Sequence, residues 1–337
     1  MDRCDADMVN PQGNGEDDMG GLTRRMALTG VAGAMMAGAA LAGVMVDMAE
    51  GYADVPGGKV YWKSFTPRGA SGKPLLTLHG GPGAAHNYLL PLKALADSRP
   101  VIFYDQLGCG KADAPQDESI YTIQRSVDEL DAVRAALKLD EFILYGHSWG
   151  SMLAIEYLCQ GRGHGIDTVI IGGALASVPQ AAAGQQRLID AMGKAYATQL
   201  HGLEKAGRMD SPEYGALVQK FYDRHVLRVA PDADAQASFD ALAKSIAYRV
   251  MNGPNEFYIT GIIKDWDRRA DLGKITQNML ITTGEYDEVT LDCHTTIRHG
   301  VSGPAKLEIF KGCSHMTMCE KPTLYVAALR RFLATAA

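Results

Sequence analysis

The sequence predicts an α/β fold with a mostly parallel central sheet, and two observations favour this class. From about residue 58 onward, short apolar segments that end in glycine or in polar residues alternate with longer segments of helical periodicity. Between about 176 and 265 this alternation stops, and the pattern is helical without a convincing strand. Strands that alternate with helices are typical of a parallel sheet covered on both faces. We therefore expect one sheet with a helical cap inserted after its sixth strand.

The individual elements follow from local patterns. GKVYWKSFT (58–66) alternates apolar and polar residues like a half-buried strand, and PLLTLHG (74–80) is a short apolar run typical of a buried strand. Further strands are predicted at 99–106, 141–146, 168–174, 278–284 and 305–312, and helices at 121–139, 151–160 and 322–337. These elements predict a core of residues 50–175 and 266–337, with residues 176–265 as the cap.

The first 49 residues differ from the rest in composition. Residues 1–20 are polar, acidic and rich in Gly and Met, which predicts disorder. Arg24 and Arg25 precede a weakly apolar run, an order that resembles a twin-arginine export signal, and residues 40–42 are a candidate cleavage site. The sequence thus predicts a periplasmic or secreted protein. An uncleaved membrane anchor and a cytoplasmic protein are the alternatives.

Composition excludes some classes of partner. The formal net charge is −6 and no basic stripe is present, so the sequence gives no indication of nucleic-acid binding. The acidic balance mildly favours a substrate with a cationic group. The six cysteines lack the spacing of a metal site. We expect neither a metal nor an organic cofactor, because the serine chemistry that the motifs indicate needs none.

GHSWG (146–150) is the strongest catalytic motif. It follows a predicted strand and begins a predicted helix, which is the context that a G-x-S-x-G nucleophile turn requires. Gly146 and Gly150 permit a tight turn that lifts the hydroxyl of Ser148 above the sheet. The backbone N–H of Trp149 then points to the position of an oxyanion. We expect Ser148 to be the nucleophile and Trp149 to be an oxyanion donor.

HGGPG (79–83) follows an earlier predicted strand and supplies the second half of this arrangement. Glycines let a backbone approach a ligand closely, and proline stiffens the turn. Paired with the nucleophile turn, this loop predicts a second oxyanion donor, the backbone N–H of Gly81.

A serine nucleophile needs a base and an acid that orients the base, and in this fold the chain order is Ser, acid, His. His315, in GCSHM, follows the last predicted strand, which brings its imidazole back over the C-terminal edge of the sheet. GEYDE (284–288) follows the strand before it. Asp287 stands three residues beyond Gly284 and is the expected acid, with Glu285 as a weaker rival.

Together HGGPG, DQLGCGKAD (105–113), GHSWGS, GEYDE and GCSHM resemble the proline iminopeptidase family of α/β-hydrolases, over about residues 55–337. The resemblance implies the α/β-hydrolase fold and a substrate with a free α-amino group. It also implies that Glu256, in MNGPNEF (251–257), and Glu288 hold this group. A buried ammonium requires such a paired anion, because an unpaired buried charge is unfavourable.

The resulting hypothesis is a serine hydrolase that forms an acyl-enzyme. It would release the N-terminal residue from short peptides or hydrolyse L-amino-acid amides. An esterase, or an aminoacyl transferase acting on amino-acid esters, is the alternative, because any nucleophile that reaches the acyl-enzyme can accept the acyl group. An epoxide hydrolase is disfavoured by Ser148, and a non-catalytic binding module by the presence of all three triad candidates. The preferred N-terminal residue and the oligomeric state stay open.

Overall fold

The computed structural model describes residues 33–41, 43–69 and 72–335. Its strands are Gly33–Leu41 (β1), Val44–Val55 (β2), Gly58–Pro67 (β3), Leu75–Leu78 (β4), Val101–Tyr104 (β5), Ile143–His147 (β6), Thr168–Gly172 (β7), Asn278–Gly284 (β8) and Ala305–Phe310 (β9). In these residues the strands form a single sheet with the order β1-β2-β3-β5-β4-β6-β7-β8-β9.

Helices connect and cover the strands. They are Ile123–Leu137 (α1), Trp149–Cys159 (α2), Val178–Ala191 (α3), Lys194–Lys205 (α4), Pro212–His225 (α5), Ala233–Leu242 (α6), Ile246–Met251 (α7), Leu291–Gly300 (α8), Thr317–Glu320 (α9) and Pro322–Thr335 (α10). Three 3-10 segments complete the set at His86–Asp97, Glu118–Ile120 and Arg269–Lys274.

The sheet is mostly parallel, as the sequence predicts. Strands β5, β4, β6, β7, β8 and β9 are mutually parallel, whereas β1, β2 and β3 are antiparallel at one edge. Every residue of β4, β5, β6 and β7 is buried, which explains why these strands read as short apolar runs rather than as alternating patterns. The carboxyl ends of the parallel strands therefore lie along one edge of the sheet.

A helical segment interrupts the strand order, also as predicted. Helices α3 to α7 lie between β7 and β8, and β7 is the sixth strand counted from β2. Ser177 and Ser211 cap α3 and α5, and a proline stands in the first turn of each helix. The segment has an apolar cluster of its own, separate from the two clusters that cover the sheet. This cluster includes Ile189, Leu200, Leu203, Leu217 and Phe221.

The sheet begins earlier in the chain than the sequence predicts. The predicted boundary at residue 50 falls inside β2, whose residues 46–55 pair with β3. Ala and Gly residues dilute the apolar pattern of this segment, which is why it does not read as a strand. Arg24 and Arg25 lie outside the described residues, so export stays a prediction. Among the described residues, no helix has the length and apolar character needed to cross a membrane.

Candidate active site

Ser148 lies at the sharp turn between β6 and α2. Its backbone angles are φ 55° and ψ −122°, a conformation that L-residues adopt rarely. A Cβ on Gly146 would lie 2.3 Å from the carbonyl oxygen of Gly150, and a Cβ on Gly150 would lie 2.1 Å from that of Leu78. Only glycine fits at these two positions, so the turn can hold Ser148 at the carboxyl edge of the sheet.

Two backbone N–H groups flank Ser148. Gly81, in the loop after β4, and Trp149, the first residue of α2, line one cavity together with Ser148. Neither N–H has a hydrogen-bond partner within the described part of the chain. The structure thus brings together the two groups that the sequence analysis expects to be oxyanion donors.

Asp287 and His315 meet beyond the ends of β8 and β9. Nδ1 of His315 lies 2.8 Å from Oδ1 of Asp287, which also accepts the backbone N–H of Val289 at 2.9 Å. Oδ2 of Asp287 accepts the hydroxyl of Thr283 at 3.1 Å. Burial alone would raise the pKa of Asp287, but the charge and hydrogen bond of His315 outweigh burial and lower it.

His315 is buried, and its imidazole is strongly basic. Burial opposes the charged form, yet the carboxylate of Asp287, assisted by Glu288 and Glu256, raises the pKa of His315 to about 9. His315 lines a cavity of about 70 Å³ together with Ser148. Its Nε2 makes no hydrogen bond to the hydroxyl of Ser148, although both residues lie in the described part of the chain. Such catalytic contacts are commonly loose before substrate binds.

Glu256 and Glu288 both lie beside this centre. Both glutamates line the cavity that contains His315, and both also line a second cavity that contains Trp149. Ser148 lines both cavities. The hydroxyl of Tyr248 donates to Oε1 of Glu256 at 2.8 Å, and Oε1 of Glu288 lies 3.8 Å from Nε2 of His315.

The carboxyl groups of Glu256 and Glu288 lack a full complement of partners. Oε2 of Glu288 is buried without a hydrogen-bond partner among the described residues. Burial raises the pKa of both glutamates, and the carboxylates of Glu256 and Asp287 raise that of Glu288 further. Carboxyls with raised pKa values and incomplete hydrogen bonding favour a cationic ligand, because a nearby positive charge lowers their pKa.

Hydrogen bonds that the sequence analysis missed connect the loops of the site. The backbone N–H of Gly80 donates to the hydroxyl of Tyr88 at 2.7 Å, and this hydroxyl lies 2.9 Å from Nδ1 of His147. Nε2 of His147 lies 3.0 Å from the backbone oxygen of His315. Since a carbonyl oxygen only accepts, Nε2 of His147 carries the proton and Nδ1 accepts from Tyr88. No local pattern marks Tyr88, because the fold alone brings it to His147.

Gln106 makes a second connection. Its backbone N–H donates to Nε2 of His79, and its side-chain amide donates to the backbone oxygen of His79, both at 2.9 Å. The indole N–H of Trp149 donates to Oε1 of Gln106 at 2.8 Å. Gln106 therefore joins the loop that carries Gly81 to the start of α2. The motif DQLGCGKAD contains this residue, but its spacing does not reveal the contact.

A larger cavity of about 530 Å³ adjoins the site within the helical segment. It shares Tyr222, Val226, Phe239 and Leu242 with the cavity of His315. A smaller cavity of about 30 Å³ also reaches Ser148 and Gly81, and Trp149 lines it as well. The site thus adjoins a wide cavity in the helical segment and includes a tight cavity that Trp149 lines.

The chain is similar to known proteins over most of its length. A family model for the α/β hydrolase fold matches residues 73–322. A proline iminopeptidase of Saccharolobus solfataricus is 39% identical over 294 residues, which cover 86% of this chain and 94% of that protein. The crystal structure of a proline iminopeptidase from Mycobacterium smegmatis has a TM-score of 0.79 at 33% identity, covering 85% of this chain and 98% of that one. The crystal structure of VinJ has a TM-score of 0.81 at 28% identity, with 86% and 99% covered. The chain therefore belongs to the proline iminopeptidase family of α/β-hydrolases.

Proposed function

We propose that this protein is a serine aminopeptidase that releases the N-terminal residue from short peptides and also hydrolyses L-amino-acid amides. Ser148 is the nucleophile, His315 the general base and Asp287 the residue that orients His315. The backbone N–H groups of Gly81 and Trp149 bind the oxyanion. This proposal extends to the chain the activity that the names of its relatives describe.

The observation that carries the proposal is the position of two carboxyls, those of buried Glu288 and half-buried Glu256, beside the nucleophile. Glu256 and Glu288 line the same cavities as Ser148, and Glu288 lacks a partner for Oε2 in the described residues. An α-ammonium bound to both carboxyls would fix the distance from the chain terminus to Ser148. Only the first carbonyl would then reach the hydroxyl, which makes the reaction an exopeptidase reaction. A simple esterase substrate has no ammonium group for these two carboxyls to bind.

The chemistry follows from the roles proposed for these residues. Oγ of Ser148 attacks the first carbonyl carbon while Nε2 of His315 takes the hydroxyl proton. The carbonyl oxygen becomes an oxyanion and accepts the N–H groups of Gly81 and Trp149. As the C–N bond breaks, His315 returns the proton to the leaving amine. A water molecule then attacks the acyl-enzyme with the same base, releasing the amino acid and restoring Ser148.

The substrate charge is part of this mechanism. The field of the carboxyls around His315 raises its pKa to about 9, which would leave much of the base protonated at neutral pH. A substrate ammonium between Glu256 and Glu288 adds a positive charge close to His315 and opposes that field. The bound substrate therefore lowers the pKa of His315, so that more of this imidazole is neutral and can accept a proton in the complex.

The helical segment has a separate role in the proposal. We propose that residues 176–265 form a cap over the core of residues 50–175 and 266–337. Tyr248 and Glu256 come from this segment, and so do Tyr222 and Phe239, which wall the larger cavity. The cap would thus supply half of the ammonium site and the room for the leaving part of the substrate.

A substrate comparison tests the proposal. Wild type should hydrolyse alanyl p-nitroanilide and alanine amide, and it should act far more slowly on N-acetylalanyl p-nitroanilide and on phenyl acetate. Ser148→Ala should abolish all turnover and all labelling by a fluorophosphonate. Equal rates on acetylated and free-amine substrates, or a preference for phenyl acetate, would instead support an esterase.

A further inference from the structure

The cavity beside Gly81 contains a polar residue that the mechanism above does not use. Gln185 lies on α3 and is only 3% exposed, and it lines this cavity together with Ser148, Glu256 and Glu288. The other wall residues are mostly apolar: Trp149, Met152, Leu175, Ile259, Ile263 and Val289. A buried amide in such a wall requires partners for both its donors and its acceptor.

The orientation of the Gln185 amide follows from its neighbours. Nε2 donates to the backbone oxygen of Glu256 at 2.9 Å, and the amide also lies against Glu288, where it lowers the pKa of that carboxyl. A backbone oxygen only accepts, so the nitrogen of the amide makes the contact with Glu256 and Oε1 is left as the acceptor. Oε1 is buried and has no hydrogen-bond partner among the described residues.

The free acceptor of Gln185 distinguishes substrate amines by their number of N–H donors. A primary α-ammonium has three N–H donors, whereas the secondary ammonium of an N-terminal proline has two. Glu256 and Glu288 satisfy two donors of either amine. We propose that Oε1 of Gln185 accepts the third N–H, so that this enzyme prefers N-terminal residues with a primary amine and an apolar side chain over proline. The inference rests on the proposed function, because it assumes that the two glutamates hold the amine.

A different role for Gln185 must be separated from this one. The hydrogen bond to the backbone of Glu256 could simply hold that segment in place. Loss of the amide would then weaken all substrates alike, whatever their amine. A specific acceptor affects only substrates that carry the third N–H, so the ratio between primary and secondary amines separates the two roles.

The experiment compares kcat/KM for alanyl, N-methylalanyl and prolyl p-nitroanilides. Wild type should prefer the alanyl substrate to the N-methylalanyl substrate by about tenfold or more, since a hydrogen bond to a charged group has this magnitude. Gln185→Met keeps the length of the side chain and removes the acceptor. It should lower kcat/KM for the alanyl substrate by about tenfold and change the other two by about twofold at most.

Gln186→Met is the matched control, because Gln186 contacts Asp190 and His201 instead of the cavity. It should leave all three rates and their ratios unchanged. An equal fall in kcat/KM for all three substrates in Gln185→Met would overturn the inference. A wild-type enzyme that prefers the prolyl substrate, or that does not discriminate among the three, would also overturn it. This second test does not depend on the folding of any variant. The proposed function would survive those outcomes. The proposed function fails if N-acetylalanyl p-nitroanilide reacts as fast as the free amine or if the enzyme prefers phenyl acetate.

Discussion

The rings of His147 and His315 lie in contact at a tilt of 50° with their centroids 4.6 Å apart, and Nε2 of His147 donates to the backbone oxygen of His315 at 3.0 Å. Burial lowers the pKa of His147 to about 3, so this imidazole stays neutral at physiological pH. Its Nδ1 remains free to accept from Tyr88, which in turn accepts from Gly80. One chain of hydrogen bonds thus joins the loop of the proposed oxyanion donor to the loop of the proposed base.

Tyr88→Phe should break this chain. The N–H of Gly80 and Nδ1 of His147 would both lose a buried partner, which costs about 1–3 kcal/mol of unfolding free energy. We also expect kcat to fall by about tenfold, because the loop that carries Gly81 would lose its anchor. Urea denaturation and steady-state kinetics measure the two effects. Tyr145→Phe is the control, since Tyr145 also shares a buried hydroxyl contact, with Tyr325, and should affect stability alone. Equal kcat in both variants would contradict the prediction.

Asp287→Asn should lower both the rate and the pKa of the base. The charge of Asp287 is the largest influence that raises the pKa of His315, so its removal destabilises the imidazolium. His315 therefore deprotonates at lower pH in this variant. The acid limb of the pH profile of its remaining activity shifts to lower pH as well. The rate itself should fall by about 10⁴, because the imidazole loses its orienting acceptor. The pH dependence of fluorophosphonate labelling measures the shift, and a limb that stays or moves to higher pH would contradict the assignment.

The substrate should change the pKa of His315 in a measurable way. The pH profile of kcat/KM reports the free enzyme, whereas that of kcat reports the complex. Because the substrate ammonium opposes the carboxyl field, the acid limb of kcat should lie at lower pH than that of kcat/KM. The limb of kcat/KM itself should lie well above the ordinary range for histidine, since the pKa of His315 is raised to about 9. If the acid limbs of the kcat and kcat/KM profiles lie at the same pH, the charge of the substrate does not change the pKa of His315.

The motif residues could be placed from the sequence because each follows a strand directly. Ser148 directly follows β6, while Asp287 and His315 lie in the first turns beyond β8 and β9. Parallel strands bring such positions to one edge, so chain order and strand order together indicate the neighbours. Glu285 agrees with its expected minor role, since it is exposed and its carboxylate accepts the backbone N–H of Gly312 at 2.8 Å.

Residues that act across the fold could not be placed in this way. Tyr88, Gln106 and Gln185 contact residues far away in the chain, and no periodicity marks them. Their roles depend on the orientation of single amide and hydroxyl groups, which only packing determines. Strand β2 was missed for a different reason, since its Ala and Gly residues obscure the alternation that its pairing with β3 produces.

Glu288→Gln should reduce activity selectively for substrates with a free amine. The amide keeps the shape of the side chain but removes one of the two anions that face the ammonium. For alanyl p-nitroanilide we expect kcat/KM to fall by about a hundredfold, the magnitude for a buried pair that loses one partner. The slow reaction of N-acetylalanyl p-nitroanilide should change little. Glu285→Gln, on the same loop but exposed, should leave both rates within about twofold. Equal losses on the two substrates would show that Glu288 does not hold the amine.

Gly173→Ala should displace the proposed base. Gly173 has a φ of +53°, and a Cβ there would lie 2.4 Å from Cε1 of His315. The imidazole would have to move by about 1 Å or more to relieve this contact, and a displacement of that size costs about a hundredfold in rate. Gly193→Ala is the matched control, because Gly193 also has a positive φ, +111°, but no atom of the described residues lies within 4 Å of the added methyl group. Both variants should lose about 1–3 kcal/mol of unfolding free energy from backbone strain, and only Gly173→Ala should lose kcat. A normal kcat in Gly173→Ala would mean that His315 tolerates displacement, and its assignment as the general base would then be wrong.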